Sequence, residues 1–242
     1  MIAGCGITHS HEALHPSGNK SSHAVAQALA WIKKQPYLHV PLQGPQWLPR
    51  TMGALSDTVI ANPPNQQYAV GIWATKRPLK INSPDLPKAQ RGPAALVSWS
   101  VEKWYGMSPT TAQAAPYIPA WIQPTSPGRP IVIAHGIRGT LYSKGTNGQL
   151  VELVSFIVWT QKHWTWEAVA SSIPQERIAA VDLSHAIATT NLPTRIGLGM
   201  VQTIHEEKIT FLLWVKNRVL VTLSGEAPST HNILDTFKMA QS

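Results

Sequence analysis

Charge is scarce in this sequence: Asp, Glu, Lys and Arg make up 13% of its 242 residues, about half the roughly 25% of an average soluble domain. Its surface must therefore rely on neutral polar side chains and turns. There is a single cysteine, Cys5, which excludes an intramolecular disulfide and a zinc site built on several thiolates. No apolar run approaches the roughly 18 residues that a membrane helix needs, the longest being stretches such as Phe211-Leu212-Leu213-Trp214-Val215. Phenylalanine occurs only three times, whereas tryptophan occurs ten times and proline 20. With 43% apolar residues, the chain has the material for a core, and disorder is excluded for most of it.

The charge that is present has a direction. Through residue 150 there are 13 basic residues against four acidic ones (Glu12, Asp57, Asp85, Glu102), and from 151 onward seven against eight. A basic first half can attract nucleic acid, anionic lipid or anionic wall polymer. Nucleic-acid binders cluster Lys and Arg along one helix or arm, but the densest groupings here are only Lys33-Lys34 and Lys76-Arg77 with Lys80. No nucleic-acid partner is expected.

The lone cysteine stands in Ile2-Ala3-Gly4-Cys5, the pattern of a bacterial lipobox, where small residues let a peptidase approach the backbone and the acylated thiol then anchors the chain. Residues 8–22 follow as a polar tether containing Gly, Pro and Ser, of the sort that separates an anchor from a folded part. The expectation is a lipid-anchored, extracytoplasmic protein attached to the membrane through Cys5, with the basic and apolar parts of its signal peptide upstream of Met1. Within the tether, His11-Glu12-Ala13-Leu14-His15 spells the zincin string H-E-x-x-H, which on a helix puts two imidazoles on one metal ion with the glutamate as base. Pro16 pushes His15 out of helical conformation and Ser17-Gly18-Asn19 stops any helix, so a metal-dependent hydrolase using His11, Glu12 and His15 is the weakest reading. His9, His11, His15 and His23 remain the metal candidates as a loose cluster. Ser100-Val101-Glu102-Lys103 and Ser17-Gly18-Asn19-Lys20 both fit S-x-x-K without its partner motifs, and no nucleophile elbow or phosphate loop is present. Neither catalytic residues nor a cofactor are expected.

Residues 131–143 read as one strand interrupted by glycines, and residues 149–159 as a second. The alternation of Trp164, Trp166 and Ala168 with Thr165 and Glu167 marks a third, half-buried strand. Pro174 then opens a helix running to about Thr189, with Ile178, Val181 and Ile187 on its apolar side. The pattern recurs in strands at 196–205, 208–215 and 218–224 and a helix from Pro228, so that Phe156-Ile157-Val158-Trp159 and Phe211-Leu212-Leu213-Trp214 lie 55 residues apart. A less regular first copy would use strands at 54–61 and 68–75 and a helix at 94–105. The fold class expected is α+β, with curved antiparallel sheets and packed helices built from duplicated βββα units. It divides into a lipobox-like start and tether (1–22), an N-terminal α+β unit (23–107), a Pro-rich linker (108–130) and a duplicated domain (131–242).

The segments Tyr37-Leu38-His39-Val40-Pro41 and Gln46-Trp47-Leu48-Pro49, the strand at 68–79 and the ending Phe211-Leu212-Leu213-Trp214…Leu223-Ser224-Gly225…Met239-Ala240-Gln241-Ser242 resemble an uncharacterised group of extracytoplasmic bacterial lipoproteins. The ending is also similar to the small domain of unknown function found outside the membrane in anti-sigma-factor-like proteins, distantly similar to lipoprotein-carrier folds. The resemblance implies an outward-facing, non-enzymatic domain on a curved antiparallel sheet, and supplies no catalytic residues.

Most of the ten tryptophans suit a core, as the largest apolar fillers available to a sheet. Trp164 and Trp166, on one strand face beside Lys162 and His163, and Trp47 and Trp121, in Pro-rich loops, are the indoles expected to reach solvent and stack on a ligand. Two functions follow. In the first, an envelope-sensing or binding lipoprotein holds an apolar or wall-derived ligand. In the second, a structural or interaction domain presents its basic first half to anionic envelope polymer. Few carboxylates also means few groups to protonate, so stability at low pH is expected.

Overall fold

The computed structural model describes residues 19–20, 23–45, 47–48, 54–91, 95–105, 121–134, 136–143, 145–146, 155–204 and 207–227. Helix α1 (His23–Lys33) is followed by strands β1 (Ala54–Asn62) and β2 (Gln67–Thr75), the one-turn helix α2 (Leu86–Ala89) and β3 (Val97–Lys103). Then come β4 (Arg129–Ala134), β5 (Ile137–Tyr142), β6 (Phe156–Gln161) and β7 (Trp164–Ala170), helix α3 (Ile173–Thr189), and β8 (Gly197–Ile204), β9 (Glu207–Lys216) and β10 (Val219–Ala227). The ten strands form one curved sheet in the order β1-β2-β3-β10-β9-β8-β7-β6-β5-β4. The fold is mostly sheet, α+β, as the patterning indicates.

Neighbours in the sheet are antiparallel except β7 and β8, which run parallel. A parallel pair needs a long crossover, and α3 provides it. β3 pairs with β10 from Lys103 opposite Val219 to Val97 opposite Gly225, so the Pro-rich stretch does not separate two sheets: the strands on either side of it share one ladder. Its last two residues, Arg129 and Pro130, already belong to β4.

Three local expectations are corrected. Residues 94–105, read as a helix, contain β3: Val97, Trp99 and Val101 are buried and alternate with the half-buried Ser98, Ser100 and Glu102, a period of two that no helix can place on one face. Residues 131–143 are two strands, folded back at Gly136, whose φ of +80° with nothing within 4 Å of a built Cβ suits glycine. On α3, Ile178 is exposed and Val181 half-buried. The buried face is Glu176, Ala179, Ala180, Leu183, Ser184, Ala186 and Ile187. The final helix expected from Pro228 and the strand start at 149–154 lie outside the described residues.

Alternation gives the sheet two covered faces. One carries Val59, Tyr68, Val70, Trp99, Trp159, Trp164, Trp166, Trp214 and Leu223, packed against Ala24, Val25, Ala28 and Ile32 of α1 and the small residues of α3. The other buries Phe156, Val169, Leu198, Met200, Leu213 and Leu220 with Trp121 and Ile122. Residues 40–45 are held to the first face by the Tyr68 hydroxyl, which meets Gln43 N–H at 2.7 Å and the Gln43 carbonyl at 2.8 Å, and by Trp99 Nε1 donating to the same carbonyl at 2.9 Å. The two-residue hairpins Lys162-His163 and Asn217-Arg218 have positive φ at both positions, the turn geometry whose twist matches a tight hairpin.

The outer edge of β1 is closed by the chain itself. Asn82 takes the Val59 N–H on Oδ1 at 2.7 Å and donates Nδ2 to the Val59 carbonyl at 2.8 Å, while its own N–H reaches the Asp57 carbonyl at 3.1 Å. Asn82→Ala is expected to lower the unfolding free energy by about 1–2 kcal/mol and, by baring a strand edge, to raise light scattering on heating. An unchanged urea midpoint would show that the cap contributes nothing.

Candidate functional site

The sequence-derived ligand candidates are largely in the core. Trp164 and Trp166 are fully buried and stacked on each other, with ring centroids 5.2 Å apart and planes 19° apart. Trp164 Nε1 donates to the Thr194 carbonyl at 3.0 Å and Trp166 Nε1 to the Gln161 carbonyl at 3.1 Å. The expectation that this pair faces solvent is therefore corrected. Alternation put the two rings on one face, and that face is the one α3 covers. Lys162 beside them caps α3, donating to the carbonyls of Ala188 at 3.1 Å and Thr190 at 2.9 Å, where a cation meets the negative helix end. Trp121 is likewise buried, on the other face. Trp47 lies in a two-residue strand, Trp47–Leu48, paired with Asn19–Lys20, and its side chain is outside the described residues, as are Cys5, His9, His11, Glu12 and His15. His23 is exposed at the start of α1, its Nε2 2.7 Å from Gln27 Nε2. Among the described residues no three His, Cys, Asp or Glu side chains are grouped to hold a metal ion, and no helix is long and apolar enough to cross a membrane.

What the fold does assemble is a basic groove. Helix α1 buries Ala24, Val25, Ala28 and Ile32, a spacing that turns Gln27, Ala30, Trp31 and Lys34 to its other flank. Against that flank lies the segment after β2. It is tied down by Lys76 N–H to the Ala89 carbonyl at 2.9 Å and Arg91 N–H to the Ala74 carbonyl at 2.8 Å, and anchored by buried Leu86 and Ala89 of α2. Gln27, Ala30 and Trp31 from the helix, Lys34 just past its end, and Pro78, Leu79, Lys80 and Ile81 from the segment enclose an open groove of about 580 Å³.

Lys33, Lys34, Lys76, Arg77, Lys80, Lys88 and Arg91 on these two segments are all exposed, with Asp85 as the one carboxylate among them. Arg77 meets Asp85 at 3.2 Å in a pair exposed on both sides, a contact worth little in water. Among the described residues the other six cations form no ion pair. The potential over the groove is therefore positive and uncompensated, with a half-buried indole at its wall. Both basic groupings are visible in the sequence, but nothing in it shows that 33–34 and 76–80 meet, or that Trp31, among ten tryptophans, is the indole at the groove.

A second groove, of about 320 Å³, lies between β4 and α3, lined by Ile131, Val132, Ile133, Ile157, Ile178 and Val181 with Arg177 and Asp182 at its rim. The space between α3 and the middle of the sheet is filled by the stacked tryptophans. Three buried carboxylates complete the electrostatics. Burial raises Glu167 well above its ordinary range although the Ile122 N–H bonds its Oε1 at 3.0 Å. Burial likewise raises Asp57, which His23 partly offsets, and Glu176, whose Oε1 accepts the Ser155 hydroxyl at 2.5 Å. Glu167 and Glu176 belong to β7 and α3, whereas Asp57 of β1 feels the charge of His23 on α1, and its backbone carbonyl holds the N–H of Asn82, next to groove residue Ile81. Comparison with protein-family models, with curated proteins and with solved structures finds no match to this chain.

Proposed function

We propose that this chain is a non-enzymatic, extracytoplasmic binding protein, anchored to the membrane through a lipidated Cys5, that holds anionic envelope polymer in the groove between α1 and residues 76–91. The observation that carries this reading is the convergence of Lys34 and Lys80, from distant parts of the sequence, on Trp31, with Asp85 as the one carboxylate on the described residues of these two segments. Repeating phosphates spaced along a chain suit such a row of free cations, and their attraction weakens with salt. The lipobox-like start and the resemblance to extracytoplasmic lipoproteins are what support the location. The filled interior between α3 and the sheet counts against a deep carrier cavity there.

The test is a titration with poly(glycerol phosphate) against a neutral polymer of equal length. Lys34→Glu combined with Lys80→Glu is expected to weaken binding about tenfold or more at low salt while leaving the thermal midpoint within about two degrees. Binding that ignores both the double variant and the salt concentration would sink the proposal. Acyl modification of Cys5 in the full-length native product is checked by mass spectrometry, and an unmodified cysteine in a cytosolic fraction would refute the anchor.

A second reading rests on the aliphatic groove beside β4, where Val132 is 66% and Ile178 58% exposed. An apolar ligand there would appear as added mass in native mass spectrometry, lost in Ile178→Asp. We also propose that β5-β6-β7-α3 and the strands β8-β9-β10 descend from one duplicated βββα unit. In support, each middle-strand tryptophan, Trp159 and Trp214, pairs with a glycine on the strand before it, Gly139 and Gly197.

A further inference from the structure

The two most exposed large apolar or aromatic side chains among the described residues, Tyr105 at 86% and Tyr37 at 78%, belong to segments that are both bonded to a single turn. That turn is Pro63–Asn65 with Gln66, whose backbone is left-handed at φ 50°. The Gln66 side chain donates Nε2 to the Tyr37 carbonyl at 2.7 Å and accepts the His39 N–H on Oε1 at 2.7 Å. Its carbonyl accepts the Lys103 N–H at 3.1 Å, and from there β3 runs out through Trp104, whose N–H is held by the Arg218 carbonyl at 2.8 Å, to Tyr105. Tyr37, itself left-handed at φ 65°, and the strand end that leads to Tyr105 are thus both tied to Gln66, one through its side chain and the other through its carbonyl. Holding an aromatic residue in this region is unfavourable, and strain of this kind gathers at binding sites.

Beside Tyr105 is a groove of about 470 Å³ lined by Asn65, Gln66, Glu102, Lys103 and Trp104. The Lys103 ammonium stands 5.5 Å from the Tyr105 ring centroid. This is a mixed surface: an exposed tyrosine ring with an ammonium over it, the exposed side-chain amide of Asn65 beside the Gln66 amide whose own bonds are made within the chain, and a half-buried carboxylate. A wholly apolar ligand would desolvate Asn65, Glu102 and Lys103 without replacing their hydrogen bonds. A polyphosphate would meet Glu102 and gain nothing from the rings. A pyranose ring satisfies both halves, because its C–H face stacks on an aromatic ring while its hydroxyls project sideways to amide and carboxylate partners.

We propose that this corner binds a glycan chain, with one pyranose ring on Tyr105 and another on Tyr37. The proposal uses none of the residues of the basic groove and stands or falls separately from the polymer reading. It is tested by amide NMR titration of the full chain with chitotetraose and with cellotetraose at about 0.15 M salt, where charge attraction is screened. Shifts are expected at residues 37, 65–66 and 102–105 with at least one of the two sugars. Tyr105→Ala should weaken binding about tenfold, whereas Tyr105→Phe, which keeps the ring, should hold it within about threefold. Lys34→Glu with Lys80→Glu should leave sugar binding unchanged. No shift up to about 20 mM of either sugar, shifts confined to other residues, or indifference to Tyr105→Ala would each overturn the proposal.

Discussion

Replacing Gly199 by alanine is expected to lower the unfolding free energy by about 3 kcal/mol or more, at the upper end of what overpacking does. It should be seen as a fall in the urea midpoint at unchanged m-value. The residue lies in regular strand β8, directly opposite Trp166 of β7, and the indole lies over it. A Cβ built there would be 2.0 Å from Cζ3 and 2.3 Å from Cε3 of the ring, and one at Gly197 would be 2.5 Å from Cζ2 of Trp164. The obstacle is a rigid ring, and it has nowhere to go: Trp166 is stacked on Trp164 and its Nε1 is held by the Gln161 carbonyl. Alanine at Gly136, which meets nothing within 4 Å, should show only the left-handed backbone penalty of about 1 kcal/mol. Trp166→Leu ought to relieve part of the damage in the Gly199→Ala background. Strict additivity of the two would mean that the alanine acts elsewhere.

Glu167→Gln is expected to stabilise the fold by about 1–3 kcal/mol at pH 7 and by almost nothing near pH 4. The carboxylate is fully buried on β7, with Oε1 bonded to the Ile122 N–H and Oε2 without a partner. Desolvation raises its folded pKa well above the unfolded value of 4.5, so the folded state holds a proton that the unfolded state releases. The stability linked to that proton is fully present below pH 4.5 and is lost as pH rises through the folded pKa. Asp57 and Glu176 are shifted in the same direction by burial. The wild type should therefore gain stability on going from neutral to about pH 5, and Glu167→Gln should flatten that slope. A midpoint that falls steeply over this range would contradict the assignment.

The strand and the helix of residues 164–189 are legible as elements because their signals are local: alternation in Trp164-Thr165-Trp166 and a proline at a helix start. The same alternation is present in Val97-Ser98-Trp99-Ser100-Val101, where a helix was expected. The serines that break a helical stripe there are hydrogen-bonded across the sheet, Ser98 to Ser224 and Ser100 to Thr222, both at 2.7 Å, which local sequence does not reveal. The fate of Trp164 and Trp166 was written in the chain in a form that needs two segments at once: tryptophans two apart in one strand and glycines two apart, Gly197 and Gly199, in its neighbour. Burial of Glu167 was not legible, because a carboxylate at an outward position of an alternating strand reads as solvent-facing until Trp121 and Ile122 are laid over it. The basic groove lay between these cases. Its charges were visible, but their meeting depends on the hydrogen bonds that fold residues 76–91 back toward α1.

The place of β10 in the sheet has a consequence for the order of assembly. It lies between β3 and β9, so the Ser98–Ser224 contact spans 126 residues. Until residue 227 is available, β3 presents one unpaired edge and β9 another, each with its tryptophan face uncovered on that side. Contacts of such separation slow folding and prolong the life of sticky intermediates. A chain emerging amino terminus first can build α1 with β1-β2-β3 early, but it must hold that half-sheet open until the last of the ten described strands arrives.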